Sequence, residues 1–171
     1  MNTFHQQQQK VDFQINIGSI VLQVHATENV AAMLGKAVRL LHTGHYNEAL
    51  QLLDKVLLAD EEIPNAYYYR ALAALEGRRP KATILPTADK ACRDLSAAIS
   101  LESGHAHYFY LLALVKYDFY IMNGFGGNVD EVEQLLRRAA SLPLDIAQCE
   151  EMLRHTNNPD SPVIDFLRQR L

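Results

Sequence analysis

The sequence predicts a mainly α-helical chain: a solenoid of helical hairpins, entered through an N-terminal β-hairpin and closed by C-terminal capping helices. Three observations predict it. Apolar residues recur at helical spacing from about Asn29 onward. Small residues recur along that stretch at intervals of 34, 41 and 42 residues. Strict period-two alternation is confined to Val11 to Val24.

The elements follow in order. Residues 1–10, "MNTFHQQQQK", are polar and glutamine-rich and read as a disordered lead-in. Residues 11–26 read as a β-hairpin. Gly18-Ser19 suits a two-residue turn, which pairs Ile17 with Ile20, Ile15 with Leu22 and Phe13 with Val24 on one face. A lone hairpin is marginal in water, so it must lie on the helices, on a second copy or on a partner. Asn29 is placed to cap the first helix, and Gly44 to end it. "YNEALQLLDKVLLAD" carries Leu50, Leu53, Val56 and Leu57 on one stripe, and Pro64 opens the next helix. Gly77 to Pro86 and Asn123 to Asn128 break the pattern and read as surface insertions, with helices resuming near Thr87 and His105. "DEVEQLLRRAASL" has acids first and arginines later, as the helix dipole prefers. Asp145 with Gln148, and Ser161 with Pro162, mark two further helix starts within residues 143–171.

The recurrence decides the architecture. Ala37, Ala71 and Ala113 are 34 and 42 apart; Ala49, Ala91 and Val132 are 42 and 41 apart; Val56, Ala98 and Ala139 repeat 42 and 41. A 34-residue unit with about 8 and 7 extra residues between its helices accounts for all three sets, and the extra lengths fall on the glycines and prolines. Such a helix–turn–helix unit resembles the tetratricopeptide repeat (TPR). The small residues match its close-packed positions, "TGHYNEAL" looks like its turn, and "AYYYRALA" is similar to its first-helix opening. The resemblance covers residues 29–142 as three degenerate units. In that register Tyr67 and Phe109, with Met33 as a weaker match, take the aromatic packing position. Tyr68 points into the concave groove, Tyr69 forms a ledge near it and Arg70 lies beside that ledge. Arg154 falls where a small residue belongs, so Asp145 to His155 reads as a capping helix and not a fourth repeat.

Composition bounds the function. The chain has 171 residues, a formal net charge of −4 and two cysteines. That suits a single domain with an adequate core, and it argues against a protein built to coat nucleic acid. Cys92 and Cys149 lack ligand spacing and read as buried thiols in a reducing compartment. No apolar run long enough to span a membrane is present, and a bacterial-type cytoplasmic protein is expected. "HAH" at His105 to His107 has no third ligand, and residues two apart on a helix do not face each other. Cys92 sits within a packed helix pattern. "GFGGN" has no strand before it and no Lys-Ser/Thr after it, so it fails as a phosphate cradle. "GRRPK", Arg78 to Lys81, reads as a solvated loop tip. No nucleophile, base and oxyanion site assembles. The chain is expected to be no enzyme and to use no cofactor or metal.

The resemblance implies a concave groove. Its lining positions fall on Ala31, Leu34, Val38, Leu41 and His42; on Asn65, Tyr68, Leu72, Leu75 and Glu76; and on His107, Tyr110, Leu114, Tyr117 and Asp118. Some members grip a C-terminal carboxylate with lysine and asparagine there. Leu34 and Val38 replace those groups, so that clamp is not expected. An apolar and aromatic lining suits a partner protein or peptide segment. The function implied is a protein–protein interaction module: a scaffold, adaptor or chaperone-like subunit. The alternatives are a homo-oligomer assembled through the hairpin, a secretion-type chaperone, and a small enzyme or nucleotide binder on a helical frame. The groove has internal claimants as well: the N-terminal hairpin, or the last helix around Val163, Ile164 and Phe166.

Overall fold

The computed structural model describes residues 29–157 and 160–171; the lead-in and the hairpin expected at 11–26 lie outside the described residues. Among the described residues the chain is helical, without a strand. Helix α1 covers residues 29–42. There follow α2 (Tyr46–Ala59), α3 (Pro64–Ala74), a 3-10 turn (Pro80–Ala82), α4 (Leu85–Leu101) and α5 (Ala106–Val115). A π-helical turn (Lys116–Ile121) extends α5; then come α6 (Val129–Ala140), α7 (Ile146–Thr156) and α8 (Pro162–Arg168).

Local chemistry places most of these boundaries. Gly44 has φ +78°, its N–H reaches the Leu41 carbonyl at 3.0 Å and the His45 N–H reaches Leu40 at 2.8 Å. That pair of bonds is the Schellman ending, which needs a left-handed residue. Pro64 occupies the first turn of α3. Asp145 caps α7 by accepting from the Gln148 N–H at 3.1 Å. Asn128 caps α6 in the same way through Asp130, an unforeseen cap. Two expectations change. Asn29, the first described residue of α1, is itself helical. Ser161 stands at the N-cap of α8, but its hydroxyl makes no capping bond and is buried without a partner.

Helices α3–α4 and α5–α6 pair as hairpins, α2 packs on α3 and α4 on α5, and α1 lies beside α2, where Lys36 and Leu40 share a pocket with Glu48, Gln51, Leu52 and Lys55. All nine small residues of the repeat register are buried: Ala37, Ala49, Val56, Ala71, Ala91, Ala98, Ala113, Val132 and Ala139 are at most 4% exposed. A methyl or isopropyl group at these crossings lets backbones approach, and larger side chains would hold them apart. The two insertions differ. In the first, Ile84 and Leu85 stay exposed, yet Pro80 is buried and the 3-10 turn packs against the π-helical turn. In the second, Gly124 and Gly126 adopt positive φ and Phe125 stacks on Phe119 at 5.3 Å while remaining 57% exposed.

Candidate functional site

The first helices of the three hairpins, α1, α3 and α5, form one wall, and α7 and α8 lie across it. Helix α7 packs on α3 and α5, and α8 packs on α5. The contacts across this seam combine polar pairs with an apolar fill. The Tyr69 hydroxyl on α3 donates to Gln148 Oε1 at 3.3 Å and accepts from Gln148 Nε2 at 3.1 Å. His42 on α1 hydrogen-bonds Glu151, and Tyr46 meets His155 Nδ1 at 3.2 Å. His42 and His155 stack with centroids 6.1 Å apart and planes 7° off parallel. On the far side Arg170 donates to the Tyr110 hydroxyl at 2.8 Å and to the Ala139 carbonyl at 3.0 Å. Apolar filling comes from Cys149, Met152, Val163, Ile164 and Leu167, all buried.

The sequence-derived groove residues therefore divide. Tyr68, Leu72, Tyr110 and Leu114 are fully buried, with Leu41 and Leu75, and His107 and Asp118 are nearly so. Leu34, Val38, Glu76 and Tyr117 are half-buried; His42, Asn65 and Ala31 remain exposed. Tyr68 has its hydroxyl enclosed without a hydrogen-bond partner, and both ring nitrogens of His107 are in the same condition. The two rings meet edge to face at 4.7 Å. Burial, followed by the nearby Glu151 carboxylate, pushes the Tyr68 phenol well above its usual range. Burial, helped by His105, lowers His107 from 6.5 to about 4, against the opposing pull of Asp145. Burial, with His42 and Arg154, lowers His155 likewise to about 4.

The tyrosine triplet is arranged differently from the sequence reading. Tyr68 and Tyr69 are the buried rings, and Tyr67 is the half-buried one, with the Arg70 guanidinium 5.4 Å from its ring centroid. Arg70 turns away from Tyr69, grips Asp94 with two nitrogens at 2.9 and 2.6 Å, and reaches Asp54 at 2.9 Å. Phe109 does take the packing position and is buried. The "GRRPK" cluster is only partly solvated. Arg78 pairs with Glu76 at the surface, but Arg79 and the Lys81 N–H both bind the buried Asp118, at 2.8 and 2.9 Å. Asp118 thus anchors the first insertion and is not a lining residue of an open groove.

Other constellations carry less. The rings of His105 and His107 lie 5.3 Å apart. They approach because His105 is the extended N-cap of α5, outside the helical geometry that separates residues two apart. Among the described residues no group of three or more His, Cys, Asp or Glu side chains is arranged to hold a metal. The glycine-rich loop borders a pocket of about 320 Å³ lined by Cys92, Lys116, Tyr120, Gly126, Gly127, Asn128 and Glu131. Its cation is committed, since Lys116 pairs with Glu131 at 2.9 Å. Burial pushes the Cys92 thiol up to about 11 and the Cys149 thiol up to about 12, far from the thiolate a nucleophile needs. No described helix is long and apolar enough to cross a membrane.

No protein-family model matches the sequence. No curated protein sequence matches it either. Solved structures do resemble the fold. The first TPR of Spaghetti (RPAP3), bound to an HSP90 peptide, is 17% identical, with a TM-score of 0.54 over 75% of this chain and 90% of its own. The Sgt2 TPR domain from Aspergillus fumigatus is 15% identical, with a TM-score of 0.52 over 83% of this chain and 81% of its own. MamA is 19% identical, with a TM-score of 0.55 over 99% of this chain and 97% of its own. The small-residue register, the three stacked hairpins and these likenesses agree: the chain has a tetratricopeptide-repeat fold of three degenerate repeats.

Proposed function

We propose that the chain is a protein–protein interaction module whose concave wall takes a partner segment carrying apolar and aromatic anchors. The observation that carries this reading is the chemistry gathered on that wall. Tyr68, His107 and Tyr110 converge there, and the hydroxyl of Tyr68 and both nitrogens of His107 have no partner among the described residues. Buried polar groups are nearly always satisfied, so an unsatisfied set on a candidate binding face points to recognition more than to packing. One neighbour of the same fold holds a peptide, which supports a peptide-like partner here. Leu34 and Val38 offer no cation, so anchoring by a terminal carboxylate is not favoured; rings give large contact area at small entropic cost. The exposed rim at His42 and Asn65 is the first point of contact, and full engagement requires the C-terminal helices to yield. The scaffold, adaptor or chaperone-like role follows from a partner bound in this way and not from any reaction.

Site-specific photocrosslinking tests the reading. A photoreactive residue placed at Val38 or at Asn65 is expected to capture the same protein in cells. The same group at Leu58, which is 89% exposed on α2, is not. Capture at Leu58 alone, or at none of the three, overturns the assignment of the binding face.

A further inference from the structure

The seam between the concave wall and the C-terminal helices is an unusual lock. Its apolar fill is interrupted by buried polar groups without partners among the described residues, each of which weakens it. Here three of the chain's seven histidines lie in or beside the seam: His42, His107 and His155. His107 and His155 are each 3% exposed. Beneath the N-terminal end of α7, His107 is surrounded by the rings of Tyr68 at 4.7 Å, Tyr108 at 4.6 Å and His105 at 5.3 Å, with Asp145 acting on it from the α7 cap. At the other end of α7, His155 meets Tyr46 from α2 and stacks on His42 from α1, and Arg154 is its neighbour on the same helix. The Nε2 of His155 has no partner. A proton on His42 would keep a carboxylate beside it, because Glu151 already binds that ring. A proton on His155 would be buried beside His42 and Arg154, and one on His107 among rings and beside His105, offset in part by the Asp145 carboxylate.

We propose that helices α7 and α8 are a removable occupant of the concave wall, latched through His107 and His155 and released when these two histidines take up protons. The proposal rests on the reading of that wall as the binding face, and names how access to it is regulated. Acidification opens the face to its partner; neutral solution keeps it covered. The direction follows from proton linkage. Both histidines are lowered from 6.5 to about 4 in the docked state and regain ordinary behaviour once α7 lifts away. The docked state therefore binds fewer protons than the open one. Docking is at full strength above the ordinary value and is lost progressively as pH falls toward the lowered one. At pH 5 each histidine shifts the docking equilibrium toward the open state by about 30-fold, and the two together by roughly 1000-fold.

Hydrogen exchange on the full chain, at pH 7.5 and pH 5.0 and corrected for intrinsic rates, tests this. Amides of α7 and α8 are expected to lose at least ~100-fold in protection at the lower pH, while α3 and α4 keep theirs. In His107→Gln or His155→Gln the loss should shrink by about 30-fold. Equal protection of α7 and α8 at both pH values overturns the proposal. So does a loss that persists undiminished in both variants, which would assign it to carboxylates such as Glu151. Collapse of protection throughout the chain also overturns it, since no separate latch would then exist. Should a variant fail to fold, the comparison of α7 and α8 with α3 in the unaltered chain still decides. The outcome is separable from that of crosslinking: a pH-insensitive seam with a captured partner removes only the latch, and a released seam without a partner removes only the binding reading.

Discussion

Arg170 donates to the hydroxyl of Tyr110 at 2.8 Å, tying the chain that follows α8 to the middle of α5. The same guanidinium reaches the carbonyls of Ala139, in the last turn of α6, and of Leu142, just beyond it, at 3.0 and 3.3 Å. One side chain thus joins the C-terminal segment to both helices of the third hairpin. Charge-assisted bonds of this kind are stronger than neutral ones. Arg170→Ala is expected to lower stability by about 1–3 kcal/mol. A urea melt that coincides with the unaltered chain would show that α8 docks through its apolar residues alone.

Two adjacent tyrosines should behave oppositely to the expectation drawn from the repeat register. Tyr68 is fully enclosed, whereas Tyr67 is half-buried beside Arg70. Tyr68→Ala leaves a ring-sized cavity and should cost about 3–5 kcal/mol. Tyr67→Ala should cost about 1–2 kcal/mol, in proportion to its smaller burial. Tyr68→Phe should be neutral or slightly stabilising, because the hydroxyl it removes has no partner. Thermal melts of the three variants check the order, and Tyr67→Ala as the most damaging of them would mean α3 is rotated.

The sequence revealed what depends on neighbours along the chain. Gly44 and Pro64 mark helix ends through backbone geometry that they alone favour, and the Ala37–Ala71–Ala113 spacing carries the hairpin stacking. What depends on distant residues stayed hidden. Nothing near Arg79 announces that its partner is Asp118, 39 positions on. The groove register identified the wall but left open whether the wall was empty, since its apolar stripe suits a partner and the chain's own last helices equally. Tyr68 is enclosed where α7, on which Cys149 and Met152 are buried, packs on α3, the wall that the register had left to a partner. His105 and His107 came together because one lies outside the helix that contains the other.

The repeat register itself makes a demand. Ala71 on α3 and Ala91 on α4 are both wholly buried in the hairpin of the second repeat. Leucine at either position overpacks the contact and should cost about 1–3 kcal/mol. Unchanged urea midpoints for both variants would show that these positions do not set the helix approach.

Arg78 and Arg79 separate a surface charge from an anchoring one. Arg78 pairs with Glu76 in solvent, where such pairs contribute little. Arg79 holds the carboxylate of Asp118, which is 1% exposed. Arg78→Ala should change stability by less than about 0.5 kcal/mol. Arg79→Ala leaves a buried carboxylate short of a partner and should cost about 1–3 kcal/mol. Equal effects in denaturant melts would return the whole cluster to the solvated loop that its composition indicates.

That the C-terminal helices occupy the concave wall is tested most directly at Cys149. This thiol is wholly buried on α7, and its own burial raises it to about 12; Cys92 on α4 is half-buried and serves as an internal comparison. Native chain at pH 7.5 is exposed to iodoacetamide, and the labelling rate of each cysteine is read by peptide mass. With the wall occupied, Cys149 is expected to react at least ~100-fold more slowly than in the chain unfolded in urea. Labelling of Cys149 at nearly the unfolded rate, in a chain that remains fully helical, would contradict it: the segment would be off the wall, and the groove open.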